Sequence, residues 1–119
     1  MRKFVLALML SFLISFPVYA TGSLIDKGAD WWAEVTPEVL EQTIAKGASI
    51  NEKDKIKWTP LMYALYYNQN PEIVETLIKH GADVKAKDKN GKTALDYAKD
   101  NPKIYRTDAY WHLNDLMYK

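Results

Sequence analysis

Residues 36–64, TPEVLEQTIAKGASINEKDKIKWTPLMYA, and residues 70–98, NPEIVETLIKHGADVKAKDKNGKTALDYA, decide the fold. Aligned at an offset of 34, they agree at 13 of 29 positions without a gap. Pro37, Glu38, Glu41, Ile44, Gly47 and Ala48 recur as Pro71, Glu72, Glu75, Ile78, Gly81 and Ala82. The triplet Lys53-Asp54-Lys55 recurs as Lys87-Asp88-Lys89, and Thr59, Leu61, Tyr63 and Ala64 recur as Thr93, Leu95, Tyr97 and Ala98. A repeat at this spacing points to stacked units, each too small to bury its own apolar face and therefore dependent on its neighbours.

Each unit reads as two helices and a turn. Thr36 and Asn70 stand where a side-chain oxygen caps a helix, and Pro37 and Pro71 follow at the first helical position. Glu38 and Glu72 bring negative charge to the positive first turn. Apolar residues then recur at helical spacing, as Val39, Leu40 and Ile44 and as Ile73, Val74, Leu77 and Ile78. Gly47 and Gly81 end these helices, where a left-handed residue is wanted. Thr59-Pro60-Leu61 and Thr93-Ala94-Leu95 open shorter helices whose small interior residues, Ala64 and Ala98, allow neighbours to approach closely. The joining segments, 50–58 and 84–92, are polar, and Asp54 and Asp88 precede turns in which their carboxylates can bond the backbone.

These residues resemble the ankyrin repeat family. Its T-P-L-H start and G-A-D-V-N-A exit are matched by Thr59-Pro60-Leu61-Met62 and by Gly81-Ala82-Asp83-Val84-Lys85-Ala86, and more loosely by Thr93-Ala94-Leu95-Asp96 and Gly47-Ala48-Ser49-Ile50-Asn51. The resemblance covers residues 31–100 closely and is most similar to small exported bacterial members that end in a divergent capping helix. It implies an all-α ankyrin repeat solenoid of about three helix-turn-helix repeats, near 24–56, 57–90 and 91–119, with short polar hairpin-like turns and divergent capping ends. Three departures stand out. Met62 and Asp96 replace the family's histidine, so its hydrogen bonding is expected to be missing. Lys57 stands where a turn glycine belongs. Asn68-Gln69-Asn70 lengthens the loop between paired helices to give a 34-residue period. At the ends, Trp31 and Trp32 read as a bulky cap, and Thr107 or Asp108 begins a last helix through Tyr118 with Ala109, Leu113, Leu116 and Met117 on one face. Residues 101–106 read as an insertion without an assigned conformation.

The first 20 residues have a different character. Fifteen are apolar, and they hold all three phenylalanines of the chain. Arg2 and Lys3 precede an apolar run from Phe4 to Phe16, and Pro17-Val18-Tyr19-Ala20 places small residues three and one positions before Thr21. That order is a secretory signal peptide. As a helix the run would reach only about 20 Å, short of the ~30 Å hydrocarbon core that a retained anchor must span. Cleavage after Ala20 gives a periplasmic or secreted domain over 21–119, with 14 basic and 15 acidic side chains. With no cysteine in the chain, such a domain must be stable by packing alone.

Composition and motifs exclude much chemistry. Near-neutral charge argues against nucleic acid, and zero cysteine excludes disulfides, thiol nucleophiles and zinc knuckles. No glycine-rich phosphate loop, serine elbow or paired-histidine motif occurs. His80 suits a helix end, His112 reads as a surface or packing residue, and the cluster of Asp83, Asp88 and Asn90 lacks calcium-loop spacing. The expectation is therefore no catalytic residue, no metal, no cofactor and no enzyme activity. It is instead a monomeric, membrane-free module for an unidentified protein partner, or else a dedicated inhibitor, antidote or stabilising subunit of one exported protein, with an enzyme lacking any familiar motif as the remote alternative. In the family that the chain resembles, partners meet the turn tips and the outward side of the first helix. Carried onto this sequence, those positions are Lys55, Ile56, Trp58, Tyr66 and Tyr67, followed by Lys89, Asn90, Lys92 and Asp100. Trp58, Tyr66 and Tyr67 could equally stack between repeats. The turn lysines, Lys53, Lys55 and Lys57 with Lys85, Lys87, Lys89 and Lys92, read either as solvated tips balanced by Asp54 and Asp88 or as a strip for an acidic partner.

Overall fold

A computed structural model describes residues 23–119; the leader read over residues 1–20 lies outside them. The described residues form six α-helices: α1 Ala29–Glu34, α2 Pro37–Ala45, α3 Pro60–Tyr67, α4 Pro71–Lys79, α5 Ala94–Lys99 and α6 Asp108–Met117. A 3-10 turn, Leu24–Asp26, precedes them, and there is no strand among the described residues. The short helices α1, α3 and α5 pack side by side in one row, and α2, α4 and α6 pack behind them in a second. The result is an all-helical array of three helix pairs.

The helix ends follow from single residues. Thr36 Oγ1 accepts from Val39 N at 3.3 Å, Thr59 Oγ1 from Met62 N at 3.4 Å and Thr107 Oγ1 from Tyr110 N at 3.3 Å. Each satisfies a donor that the first helical turn would otherwise leave open. Asp96, expected only to lack a histidine's hydrogen bond, supplies one of its own by accepting from Thr93 N at 2.9 Å. Gly47 and Gly81 close α2 and α4 with φ of 105° and 92°. At the turn tips Gly91 has φ 80°, and Lys57 takes the matching conformation with φ 64°, a left-handed geometry that opposes a Cβ.

The core runs through the stack. Leu61, Met62, Ala64 and Leu65 of α3 are fully buried, as are Ile73, Val74 and Leu77 of α4. At about 1.5–3 kcal/mol for each large apolar side chain removed from water, these residues hold the middle pair against both neighbours. The two tryptophans of α1 divide their work. Trp32 is fully buried, donates its indole N–H to Leu24 O at 3.1 Å and stacks on Tyr63 with ring centroids 6.2 Å apart. It is therefore core between the first and second pairs, and Trp31 alone lines an open groove with Val35 and Val39.

Two asparagines join the repeats at the ends of the front helices. The buried Asn68 Nδ2 donates to Trp32 O at 2.7 Å and Val35 O at 3.3 Å, and its Oδ1 accepts from Asn70 N at 2.7 Å. Asn101 repeats the arrangement one unit later, donating to Leu65 O and Asn68 O, both at 2.8 Å. Residues 101–106, unassigned from sequence, are thus a tight turn begun by that amide. The turn inserts Ile104 fully into the core, and Arg106 takes φ 69°. Replacing Asn68 by alanine strands two carbonyls and one backbone N–H, and the expected cost is about 2–3 kcal/mol. Urea unfolding reads this directly; a loss below about 0.5 kcal/mol would show that water replaces the amide.

Candidate functional site

The two polar turns are built alike. Asp54 N donates to Trp58 O at 3.1 Å and Asp88 N to Lys92 O at 2.9 Å, closing the base of each turn. Within the loop, Asp54 Oδ1 accepts from Ile56 N at 3.0 Å and Trp58 N at 2.9 Å. Asp88 Oδ1 accepts from Asn90 N at 2.8 Å and Lys92 N at 2.9 Å. The second carboxylate oxygen reaches the following helix, Asp54 accepting from the Tyr63 hydroxyl and Asp88 from the Tyr97 hydroxyl. One carboxylate therefore folds the turn and ties it to the front helix. Lys89 N then donates to Ile56 O at 3.0 Å, so neighbouring tips lie side by side. Asn51 adds a second bridge, donating to Gly81 O at 3.0 Å and accepting from Asp83 N at 2.7 Å.

Aromatic rings form a continuous ladder next to these turns. Trp58 is half-buried and meets Tyr63 at 5.0 Å, Tyr66 at 5.3 Å and Tyr97 at 5.1 Å, edge to face each time. Tyr66 and Tyr67 meet at 4.9 Å, and Tyr67 stacks on Tyr63 at 6.2 Å. Tyr66 remains 58 % exposed, while Tyr97 is buried. Lys92 holds its ammonium 5.4 Å from the centre of the Tyr97 ring, a favourable cation–π placement. Beside this group opens a cleft of about 250 Å³, lined by Tyr66, Tyr67 and Gln69 on one side and by Lys92, Asp100 and Pro102 on the other.

The nine residues carried over from the sequence fall into two neighbouring groups. Tyr66, Tyr67, Lys92 and Asp100 line the cleft. Lys55, Ile56, Lys89 and Asn90 are exposed on the joined tips, and Trp58 sits among the rings that Tyr66 also touches. Sequence reasoning passed over Tyr63 and Tyr97 as site members. Their signal was present, since each lies nine residues after an aspartate of the repeat. It also passed over Gln69, in the connection between α3 and α4, and Asn101 and Pro102, in the turn after α5.

Electrostatics separates the two sides of the array. Burial first, and then the neighbouring Asp88 carboxylate, raises the Tyr97 phenol to about 12. Burial and Asp54 likewise push Tyr63 up. Burial works to raise Asp88, but the bonds from the Tyr97 hydroxyl and from the Lys92 and Asn90 amides outweigh it and hold the carboxyl below its usual range. On the opposite side, Glu41 accepts from Lys79 at 2.6 Å and pairs with His80 at 2.7 Å, and Lys79 first and His80 second lower its pKa. His112 pairs with Glu75 at 2.6 Å. Both histidines thus link rear helices. Among the described residues, no group of three or more His, Asp or Glu side chains could hold a metal ion. No helix among them is long and apolar enough to cross a membrane.

A family model for ankyrin repeats matches residues 31–107 in three copies. Comparison with curated proteins found no match.

The Asp88–Tyr97 pair sets a two-sided pH dependence. With its folded pKa lowered, Asp88 adds stability that is complete above the unfolded carboxylate value of about 4 and is lost as pH falls through the lowered value. With its folded pKa raised, Tyr97 adds stability that is complete below the unfolded phenol value of about 10 and is lost as pH rises toward 12. Urea midpoints measured across pH should fall at both ends. Asp88→Asn should cost about 1.5–3 kcal/mol at neutral pH and flatten the acid limb. An acid limb of unchanged slope would sink the assignment.

Proposed function

The chain belongs to the ankyrin repeat family, and from that premise we propose an exported, non-catalytic module that binds a partner protein through its turn tips and the outward surface of its front helices. Ankyrin repeats are in general protein–protein interaction modules and typically act as scaffolds, not catalysts. The observation that carries the reading is Tyr66, an exposed ring at the mouth of a cleft whose walls are fixed by helix packing and by the Asp–Tyr bonds. A rigid aromatic ring with a polar tip is the side chain that most often concentrates binding energy. Export rests on residues 1–20, where a basic start, an apolar run and a small-residue end occur in order. Cleavage after Ala20 would place the array in the periplasm or outside the cell.

Two measurements test this reading. Intact mass of the mature protein should correspond to a chain that begins at Thr21, and a retained Met1 would overturn cleavage. Copurification from the native compartment should recover a protein partner that Tyr66→Ala, still folded at the assay temperature, binds at least about tenfold more weakly, a loss of ~1.4 kcal/mol or more. Trp58→Ala should lower the melting temperature further, since its ring is half-buried among three others, whereas Tyr66, which also touches three rings, is largely exposed. Recovery of no partner, or a partner indifferent to Tyr66→Ala, would sink the binding site. One stoichiometric partner marks a dedicated inhibitor or antidote, and several weaker ones mark a scaffold.

A further inference from the structure

The seven turn lysines are all exposed, and among the described residues none of them forms an ion pair. The carboxylates that alternate with them in sequence are otherwise occupied. Asp88 is 5 % exposed and Asp54 half-buried, and both direct their oxygens at backbone amides and a tyrosine hydroxyl inside the turn. The Lys-Asp-Lys triplets, mixed in sequence, are thus sorted in space, with carboxylates inward and ammonium groups outward. Because the tips are joined by the Lys89–Ile56 bond, Lys53 and Lys55 of one turn align with Lys87 and Lys89 of the next. Lys92 then extends the strip to the cleft that Tyr66 lines.

We propose that the partner is a protein with an acidic surface, which lays its carboxylates along the joined lysine tips while one apolar or aromatic side chain enters the Tyr66 cleft. This inference rests on the binding-module reading and specifies its ligand. Charge complementarity selects the acidic surface. The distribution of the remaining carboxylates selects a protein over a continuous polyanion. Glu52 and Asp83 are exposed beside the strip, and Asp100 stands on the cleft rim. A phosphate backbone or an anionic bilayer would press unbroken charge against these three groups, whereas a folded protein can set neutral or donor side chains opposite them.

The test uses the isotope-labelled mature chain, with a synthetic peptide in which glutamates alternate with serines around one central phenylalanine as polypeptide probe and phosphatidylglycerol vesicles as the competing surface. Amide shifts with this peptide should be confined to residues 53–57 and 85–92 and to the neighbourhood of Tyr66. Its affinity should fall at least about tenfold between 50 and 300 mM salt, as exposed charge pairs are screened. Lys55→Glu with Lys89→Glu should abolish binding and leave the circular dichroism unchanged. The control Lys46→Glu with Lys99→Glu makes the same change in net charge and should retain binding. Equal loss in the control would reduce the effect to net charge, and binding of the vesicles without the polypeptide would assign the strip to a membrane; either overturns the proposal, as does no binding at all. The copurified partner separates this failure from failure of the module. A partner lost with Tyr66→Ala but indifferent to salt and to the tip reversals keeps the module and rejects the acidic ligand.

Discussion

A carboxylate bonded on both oxygens is the interaction from which the rest of this array follows. Asp88 accepts two backbone amides with one oxygen and the Tyr97 hydroxyl with the other, and Asp54 does the same with Tyr63. The first oxygen gives a loop whose tip stays exposed a single conformation. The second fixes that loop to the helix that follows it. Hydrogen bonds to a charged acceptor are worth about 1.5–3 kcal/mol each, a gain that the exposed tip residues Lys55, Ile56 and Lys57 do not obtain by burial. Without them the tips would have no defined position relative to the front helices, and the two would not form one continuous surface.

Turns set one repeat; stacking must join the next. Apolar burial does most of this, but it is non-directional and would tolerate sliding of one pair over another. Directional contacts fix the register at three heights of the stack. Asn68 and Asn101 reach back to the carbonyls of the preceding repeat at one end of the front helices. The tyrosines and Trp58 interlock at the middle. Lys89 and Asn51 join the turns at the far end. A slipped register would leave the carbonyls and amides of the two hydrogen-bonded bridges unsatisfied, which is why it is costly.

The repeat, the helix caps and the two closing glycines were legible because they rest on local rules that a sequence obeys position by position. The 34-residue offset alone places Pro37 with Pro71 and Gly47 with Gly81. Contacts that cross repeats were not legible in the same way. Asn68 reads as one more polar loop residue until its amide is seen against Trp32 and Val35, because nothing local distinguishes an asparagine that caps itself from one that spans two helices. Trp32 read as an end cap for a related reason. Its neighbours in sequence are α1, whereas its neighbour in space is Tyr63, 31 positions later. The candidate site was half legible. The family resemblance brought forward four of the residues that line the cleft, while Gln69 and Pro102 belong to connections that the repeat does not copy.

Charge bookkeeping by sequence alone treats Lys53-Asp54-Lys55 as mixed charge, and the geometry sorts it, with the carboxylate bonded inside the turn and the ammonium groups exposed. Holding like charges on adjacent tips has an energetic cost, yet the cost is small. Repeats stacked at the roughly 10 Å of packed helices separate two ammonium groups by a similar distance, and in water that repulsion is about 0.4 kcal/mol per pair before salt screening. One bonded aspartate outweighs several such pairs. Local turn chemistry therefore dictates where the carboxylates go, and the exposed lysines follow as a consequence that folding can tolerate. A surface whose charge is set by the interior of its own turns is also pre-organised. Its lysines are not engaged in internal ion pairs among the described residues, in contrast to the rear helices, where Glu41 already holds Lys79 and His80.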